Sequence, residues 1–372
     1  MDDVSEPNPN EGEIMQPINA KTRAAWTVED LNADTGWIYE LDDRARRDLA
    51  AAVKRARDPA KTLFDYRRAG FDLGSAWPVI KRALKEIKTG RGFAVLRGLP
   101  RADMTAEEFE LLTWAIGLHA GVARPQGKAT QYLSAVRDAG TVYRSGGGRG
   151  YSSSAELDFH TDGADIVLLS CYNVARSGGM SMVTSSVTAH NVMVAECPEL
   201  AAVLHQDFWF SRQQEQAPDE GPYYPNPVFD VADGLLFSKW NRNRVTMAQR
   251  LEGVPPLTAA QQQATDRLDE VVRRPSLTYA MYLRPGDIQI LNNHVTLHSR
   301  TEFEDHEDPA LRRTLFRLWL APPDSPRLPE RCKPFYRTVA AGSVRGGIVG
   351  QAYDETRRAY ERQAAADLGM RC

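Results

Sequence analysis

His160 and Asp162 are separated by one residue in "ELDFHTDGADIVLL" (156 to 169), just before an unbroken apolar run. If this stretch is extended, Asp158, His160 and Asp162 share one face, and Leu157, Phe159 and Thr161 share the other. An imidazole and a carboxylate converging from neighbouring same-face positions could supply two ligands to a metal ion. The triplet is weak by itself. With seven histidines in the chain, chance supplies about half an H-x-D per sequence of this size, so a structural role is the first expectation for His160 alone. A third ligand must come from elsewhere. "DIQILNNHVTLHSRTEF" carries His294 and His298 at the end of a strand candidate, and a spacing of four leaves both on one face of an extended chain. Parity does not choose between them. His119, His190, His205 and His306 lie in helical or loop contexts, where surface or core roles are expected.

A second constellation lies in "RRTLFRLWL" (312 to 320). Read as a strand, it puts Thr314, Phe316, Leu318 and Leu320 on one face and Arg313, Leu315, Arg317 and Trp319 on the other, with Arg312 solvated ahead of it. Guanidinium groups on a strand buried from both sides need anionic partners, because desolvating an unpaired charge is very costly. An internal Asp or Glu would serve. So would a bound small carboxylic acid, which the planar arginine fork suits. One arrangement accounts for the H-x-D triplet, the distal histidine and the arginine strand together: a two-histidine, one-carboxylate iron site whose open positions take a 2-oxo acid, with the acid's far carboxylate on arginine.

The surrounding elements are expected to be of mixed type. From about Thr22 to Arg91 the pattern is helical, as in "LDDRARRDLAAAVKRARD" and in "AWPVIKRALKEIKTG", which stops at Gly90. "GFAVLRGLP" is a short strand, and Thr105 with Glu108 forms a capping box that opens the helix "AEEFELLTWAIGLHA". Further strands are expected in "ADIVLLSCYNV", in "LTYAMYLRPGDIQIL" with its Pro-Gly turn, and in "RTLFRLWLAP". Between them lie the polar stretch "SRQQEQAPDEGPYYPNPVFD" and the helical "TAAQQQATDRLDEVVRR". Helices around mostly antiparallel strands predict an α+β fold with a jelly-roll core. The organisation expected is a loose arm over residues 1–22 and a single domain over 23–372. The glycine-rich "YRSGGGRGYSSSAE" (143 to 156) reads as a solvated loop or as a lid. Arg144 and Tyr151 in it, and Trp209 and Phe210 in "DFWFSRQQ", are candidates for a substrate cavity. "VGQAYDETRRAYERQAAADLG" reads as a final, mostly exposed helix and a candidate homo-oligomer contact.

Composition narrows the partners. A formal charge of −3, from 46 basic and 49 acidic residues, and the lack of a basic stripe interleaved with aromatics argue against nucleic acid. Cys171, Cys197, Cys332 and Cys372 show no C-x-x-C spacing, so neither a zinc knuckle nor a disulfide framework is expected and a reducing compartment fits. No apolar run approaches a membrane span, and the acidic N-terminus has no apolar leader core, so a cytoplasmic protein is expected.

In "RPGDIQILNNHVTLHSRTEFED" and "RRTLFRLWLAP" the sequence resembles the TauD/TfdA superfamily of iron(II)- and 2-oxoglutarate-dependent dioxygenases, in its clavaminate-synthase-like branch, over roughly Gly90 to Pro323. The resemblance implies a double-stranded β-helix flanked by helices. It implies His160, Asp162 and His298 as metal ligands, Arg313 as the clamp on the distal carboxylate of 2-oxoglutarate, and Arg317 near cosubstrate or substrate. Relatives often have Gly-Gly-x-Thr where this chain reads Gly178-Gly179-Met180-Ser181, which makes Ser181 the candidate hydroxyl for 2-oxoglutarate. The implied cofactor is Fe(II), with 2-oxoglutarate and dioxygen as cosubstrates. Because Asp162 replaces the small residue of halogenating relatives, hydroxylation or a related oxidation of a small, anionic or amino-acid-like metabolite is expected. Trp209, Arg144 and Arg317 are the candidate substrate contacts. Two other readings compete. A zinc hydrolase on the same ligands leaves Arg313 and Arg317 unexplained, and a non-catalytic member of the fold leaves the ligand set without a use.

Overall fold

The structure is a computed structural model in which residues 22–141, 143 and 150–372 are described. Arg144, nearly all of the expected N-terminal arm and most of the glycine-rich segment lie outside the described residues, as does the side chain of Tyr151.

The centre of the molecule is the eight-residue strand Ile166–Asn173, flanked on both sides by antiparallel neighbours, Ile288–Asn292 and Thr314–Ala321. Beyond Ile288–Asn292 the sheet continues through Phe93–Arg97 to Ile38–Glu40, the latter running parallel to its neighbour. At the other edge Thr314–Ala321 is long enough to hold two short strands, Leu133–Val136 along its first half and Val122–Arg124 at its end. A second, antiparallel sheet sets Ser181–Ser185 between Thr278–Met281 and Thr296–Arg300.

Alternation along the strands builds two cores. Ile166, Leu168, Phe316, Leu318, Ile288 and Ile290 point to one side, where helices Asp43–Ala56, Ala76–Thr89, Ala106–Ala120 and Glu355–Leu368 cover them. Val167, Leu169, Leu315, Trp319, Phe93 and Val95 point to the other and pack with Val183 of the small sheet. The result is a jelly-roll core with helices against its large sheet, the α+β arrangement expected from the sequence. Helix Ala106–Ala120 starts at the Thr105/Glu108 capping box and is buried almost all round. A Cβ at Gly117 would come within 2.3 Å of Leu318 Cδ2, so the absent side chain is what lets this helix lie against the sheet.

Two segments differ from expectation. The first part of the chain is not wholly helical. Ile38–Glu40 extends the sheet, and three residues are too few for a period to register. The polar stretch after residue 211 holds the strand Tyr223–Pro227, which pairs with Asp207–Ser211 in a two-stranded sheet. Pro225 and Pro227 disguise it, since proline is tolerated in a strand where no ladder donor is needed. The C-terminal helix exposes most of its residues but buries Tyr360, Glu361, Ala364 and Ala365. Glu361 accepts from Tyr132 Oη and pairs with Arg124 Nη1 at 2.6 Å, so the helix's inner face is used within the fold. Among the described residues, no helix is long and apolar enough to cross a membrane.

Candidate active site

His160 lies just ahead of the large sheet and bridges to the small one. Its backbone N–H donates to His298 O and that of His298 donates back, each at 3.0 Å. This reciprocal pair brings the two rings to 4.4 Å between centroids. His160 Nδ1 lies 2.8 Å from Asp158 O. A carbonyl can only accept, so Nδ1 carries the proton and Nε2 keeps its lone pair for a metal. Asp162 is fixed by its backbone N–H, which donates to Asn293 Oδ1 at 3.0 Å, while Asn293 Nδ2 donates to Ala164 O. Asp162 Oδ1 accepts from Arg317 Nη1 at 3.2 Å. Asp162 Oδ2 is buried without a hydrogen-bond partner among the described residues, 3.7 Å from His298 Nε2. One ligand atom from each of His160, Asp162 and His298 can be chosen so that all lie within 4.8 Å of one another.

The electrostatics suit a cation. Burial, the largest influence on Asp162, favours its neutral form, but Arg317 and then the two imidazoles hold the carboxyl below its usual range. Burial, reinforced by His160, pushes His298 down to about 3 against the pull of Asp162. The pocket therefore offers a carboxylate and a neutral imidazole, both electron-pair donors. A buried carboxylate oxygen without a partner is costly, and a divalent ion between the three side chains would remove that cost. The residues fit a two-histidine, one-carboxylate iron site.

His294 is not part of this cluster. Residues 293–295 form a turn between two strands, one in each sheet, so the parity argument, which assumes an extended chain, does not apply. His294 Nε2 instead lies 2.6 Å from Asp165 Oδ1, and Arg345, itself buried, donates to the same carboxylate through Nη2 at 2.8 Å. Arg345 Nη1 also donates to the carbonyls of Val339 and Ala340. The triad thus ties the C-terminal segment to the start of the central strand. Asp165→Ala would leave a buried guanidinium uncompensated, and we expect a loss of about 3–5 kcal/mol in denaturant unfolding with unchanged metal affinity. A parallel loss of metal affinity would show that the two clusters are coupled.

The two arginines, both expected to need carboxylates, divide. Arg317 has an internal one: Nη1 donates to Asp162 and Nε donates to Gln126 Oε1 at 2.8 Å. Arg313 is equally buried, lines the same cavity as the three ligands, and among the described residues has no carboxylate on its guanidinium. Its Nη1 has no hydrogen-bond partner among the described residues, and the group sits 5.1 Å over the Phe303 ring. Burial lowers its pKa, with Cys171 and Asp305 opposing. Gly179 makes room for this side chain. It has φ +71°, and a Cβ there would lie 3.2 Å from Arg313 Nε. Ser181 lines the cavity too, its Oγ donating to Gln289 Oε1 at 2.7 Å while Gln289 Nε2 is left unpaired.

Of the expected substrate contacts, Arg144 lies outside the described residues. Trp209 is not among the residues that line the cavity. It packs edge-on against Tyr223 at 5.3 Å, and its neighbour Phe210, on the opposite face of the same strand, reaches the cavity instead. Two cavity residues that sequence reasoning missed are Lys239 and Arg244. The signal that could have found them is the cluster of three basic residues around the aromatic in "SKWNRNR".

The profile of the family described as "Taurine catabolism dioxygenase TauD, TfdA family" matches residues 57–319. FR-33289 synthase of Streptomyces rubellomurinus (strain ATCC 31215) is 29% identical over 311 residues, 82% of this chain and 91% of that protein. Uridine-5'-phosphate dioxygenase of Streptomyces sp is 30% identical over 243 residues, 61% of this chain and 84% of that one. Among solved structures, asparagine oxygenase in complex with Fe(II), 2S,3S-3-hydroxyasparagine and succinate superposes with a TM-score of 0.60 at 20% identity, over 76% of this chain and 93% of the other. The non-heme iron oxygenase OrfP with Fe and alpha-ketoglutaric acid gives 0.55 at 16% identity, over 82% and 99%. The last two show the shared fold. The chain belongs to the TauD/TfdA family and is an Fe(II)- and 2-oxoglutarate-dependent dioxygenase.

Proposed function

We propose that the protein couples the oxidative decarboxylation of 2-oxoglutarate to oxidation, in the first place hydroxylation, of an aliphatic C–H bond in a small anionic or amino-acid-like metabolite. Iron(II) in this site would supply the activation of dioxygen, with succinate and carbon dioxide as the products of the cosubstrate. His160, Asp162 and His298 would hold the metal. Arg313 would take the distal carboxylate of 2-oxoglutarate, with the Ser181 hydroxyl beside it. Arg317 acts through Asp162: by holding Oδ1 it keeps Oδ2 directed at His298 and the metal position. Leu169, Leu315 and Trp319 wall the cavity with apolar surface and limit water.

The observation that carries this reading is the unpaired Arg313 guanidinium, buried in the same cavity as the three ligands. A hydrolase on these ligands would have no use for it. The relatives' names support a small polar substrate, since one names uridine 5'-phosphate and one solved complex holds hydroxyasparagine. The test is aerobic incubation with Fe(II), 2-oxoglutarate and a panel of amino acids, phosphate esters and phosphonates, with succinate measured in each. Succinate release that rises severalfold with one compound and stops without dioxygen is the expected result. Turnover of a compound under strict anaerobiosis, with no succinate, would contradict it.

A further inference from the structure

We propose that Lys239 binds an oxyanion of the substrate, a phosphoryl, phosphonyl or carboxylate group, at the end of the cavity remote from Arg313. Lys239 follows the strand Leu235–Ser238 and is anchored by its backbone N–H, which donates to Val228 O at 2.9 Å. Its side chain is buried and lines the cavity. Nζ stands 3.6 Å from the Phe335 ring centroid and 5.4 Å from that of Tyr336, and it has no ion pair or hydrogen bond among the described residues. A cation stacked on aromatic faces gains some attraction, but a buried ammonium without an acid or an acceptor remains poorly compensated.

The neighbourhood is rich in donors and poor in free acids. Arg244, on the same cavity wall, gives Nη2 to Glu215 and Nη1 to Ser211 O. Tyr224, whose ring lies 5.2 Å from that of Phe335, has a buried hydroxyl without a partner. Asp162 is engaged by Arg317. A ligand group with several acceptor lone pairs and negative charge would satisfy Lys239. Burial, and then the charge of Arg244, push Lys239 down to about 7, a penalty that an adjacent anion would reverse.

This end of the cavity is distinct from the cosubstrate's. Arg313 precedes Thr314–Ala321, whereas Trp319 near its far end approaches Gly163 together with Phe335, the ring beneath Lys239. Six residue steps of extended chain lead from Arg313 to Trp319, which is about 20 Å. Asp162 is reached from Arg317, between the two. On this proposal the cosubstrate's carboxylate and the substrate's anion meet different cations, Arg313 and Lys239, while Arg317 is held by Asp162 and Gln126.

The inference rests on the dioxygenase reading only for what the anion belongs to. The test is anaerobic calorimetric titration of inorganic phosphate, methylphosphonate and acetate into protein carrying Fe(II) and 2-oxoglutarate, which occupies Arg313, and into metal-free protein. Wild type, Lys239→Met and Lys239→Arg are compared. At least one anion should bind, about 10- to 100-fold more weakly in Lys239→Met and nearly as well in Lys239→Arg, and the preferred anion separates the phosphorus oxyanions from the carboxylate. Lys239→Met should melt at the same temperature or higher, because it removes a poorly compensated buried charge. Equal affinity in wild type and Lys239→Met, or binding of none of the three, would overturn the proposal. So would a lowered melting temperature in Lys239→Met without selective loss of anion binding, which would mark the stacked ammonium as structural. Failure of the iron and 2-oxoglutarate to bind would count against the dioxygenase reading separately, because the metal-free titration still compares wild type with Lys239→Met.

Discussion

Replacing Arg313 with methionine should weaken 2-oxoglutarate binding by about 100-fold or more while leaving Fe(II) binding intact. The guanidinium is buried, has no carboxylate of its own, and has an unpaired Nη1 in the cavity that holds the three ligands. A bidentate, charge-assisted contact in such surroundings is worth roughly 3 kcal/mol or somewhat more, which is the stated factor. Methionine keeps the apolar stem that packs near Phe303 and removes a poorly compensated charge, so the fold should be no less stable. Titrating 2-oxoglutarate against Fe(II)-loaded protein reads the effect directly. Arg317→Met should behave differently, since that guanidinium is tied to Asp162 and Gln126. It should weaken metal retention more than it weakens the cosubstrate.

Asp162→Ala should abolish metal-dependent turnover and should also cost about 3–5 kcal/mol of stability in the metal-free protein. The second effect is not expected of an ordinary ligand deletion, because unpaired ligand oxygens usually destabilise. Here the carboxylate is also the acid partner of a buried arginine, 3.2 Å from Arg317 Nη1, and truncation leaves that charge without it. The double variant Asp162→Ala/Arg317→Met should recover most of the stability and none of the turnover. Denaturant unfolding of the four proteins in the cycle decides this. A single variant as stable as wild type would mean that Arg317 draws its compensation from elsewhere.

Much of the site was legible because it obeys short-range rules. The alternation of "RRTLFRLWL" sorts Arg313, Leu315, Arg317 and Trp319 onto one face, and that face lines the cavity while Phe316, Leu318 and Leu320 meet the helices. The Thr105/Glu108 capping box starts its helix for the same local reason. What was not legible depends on long-range placement. Nothing local says that the chain turns at residues 293–295, so alternation alone left His294 and His298 equivalent, and the turn sends one to Asp165 and the other to His160. Trp209 and Phe210 differ by one step of a strand whose buried side only the tertiary structure selects. Lys239 stands in the basic cluster of "SKWNRNR", but its meaning comes from Phe335, nearly a hundred residues away in sequence. Arg317 was read as needing an anion, and an internal carboxylate, Asp162 of the H-x-D triplet, supplies one.

The central claim is that His160, Asp162 and His298 hold iron(II) and that a 2-oxo acid chelates it with Arg313 at its far end. Its most direct test is anaerobic addition of Fe(II) and then 2-oxoglutarate to the purified protein, followed by the weak visible charge-transfer band of a chelated keto acid. The band should form in wild type and in His294→Ala, disappear in His298→Ala, and require far more 2-oxoglutarate in Arg313→Met. A wild-type protein that gives no band while holding Zn(II) tightly, or a band that survives His298→Ala, would contradict the account.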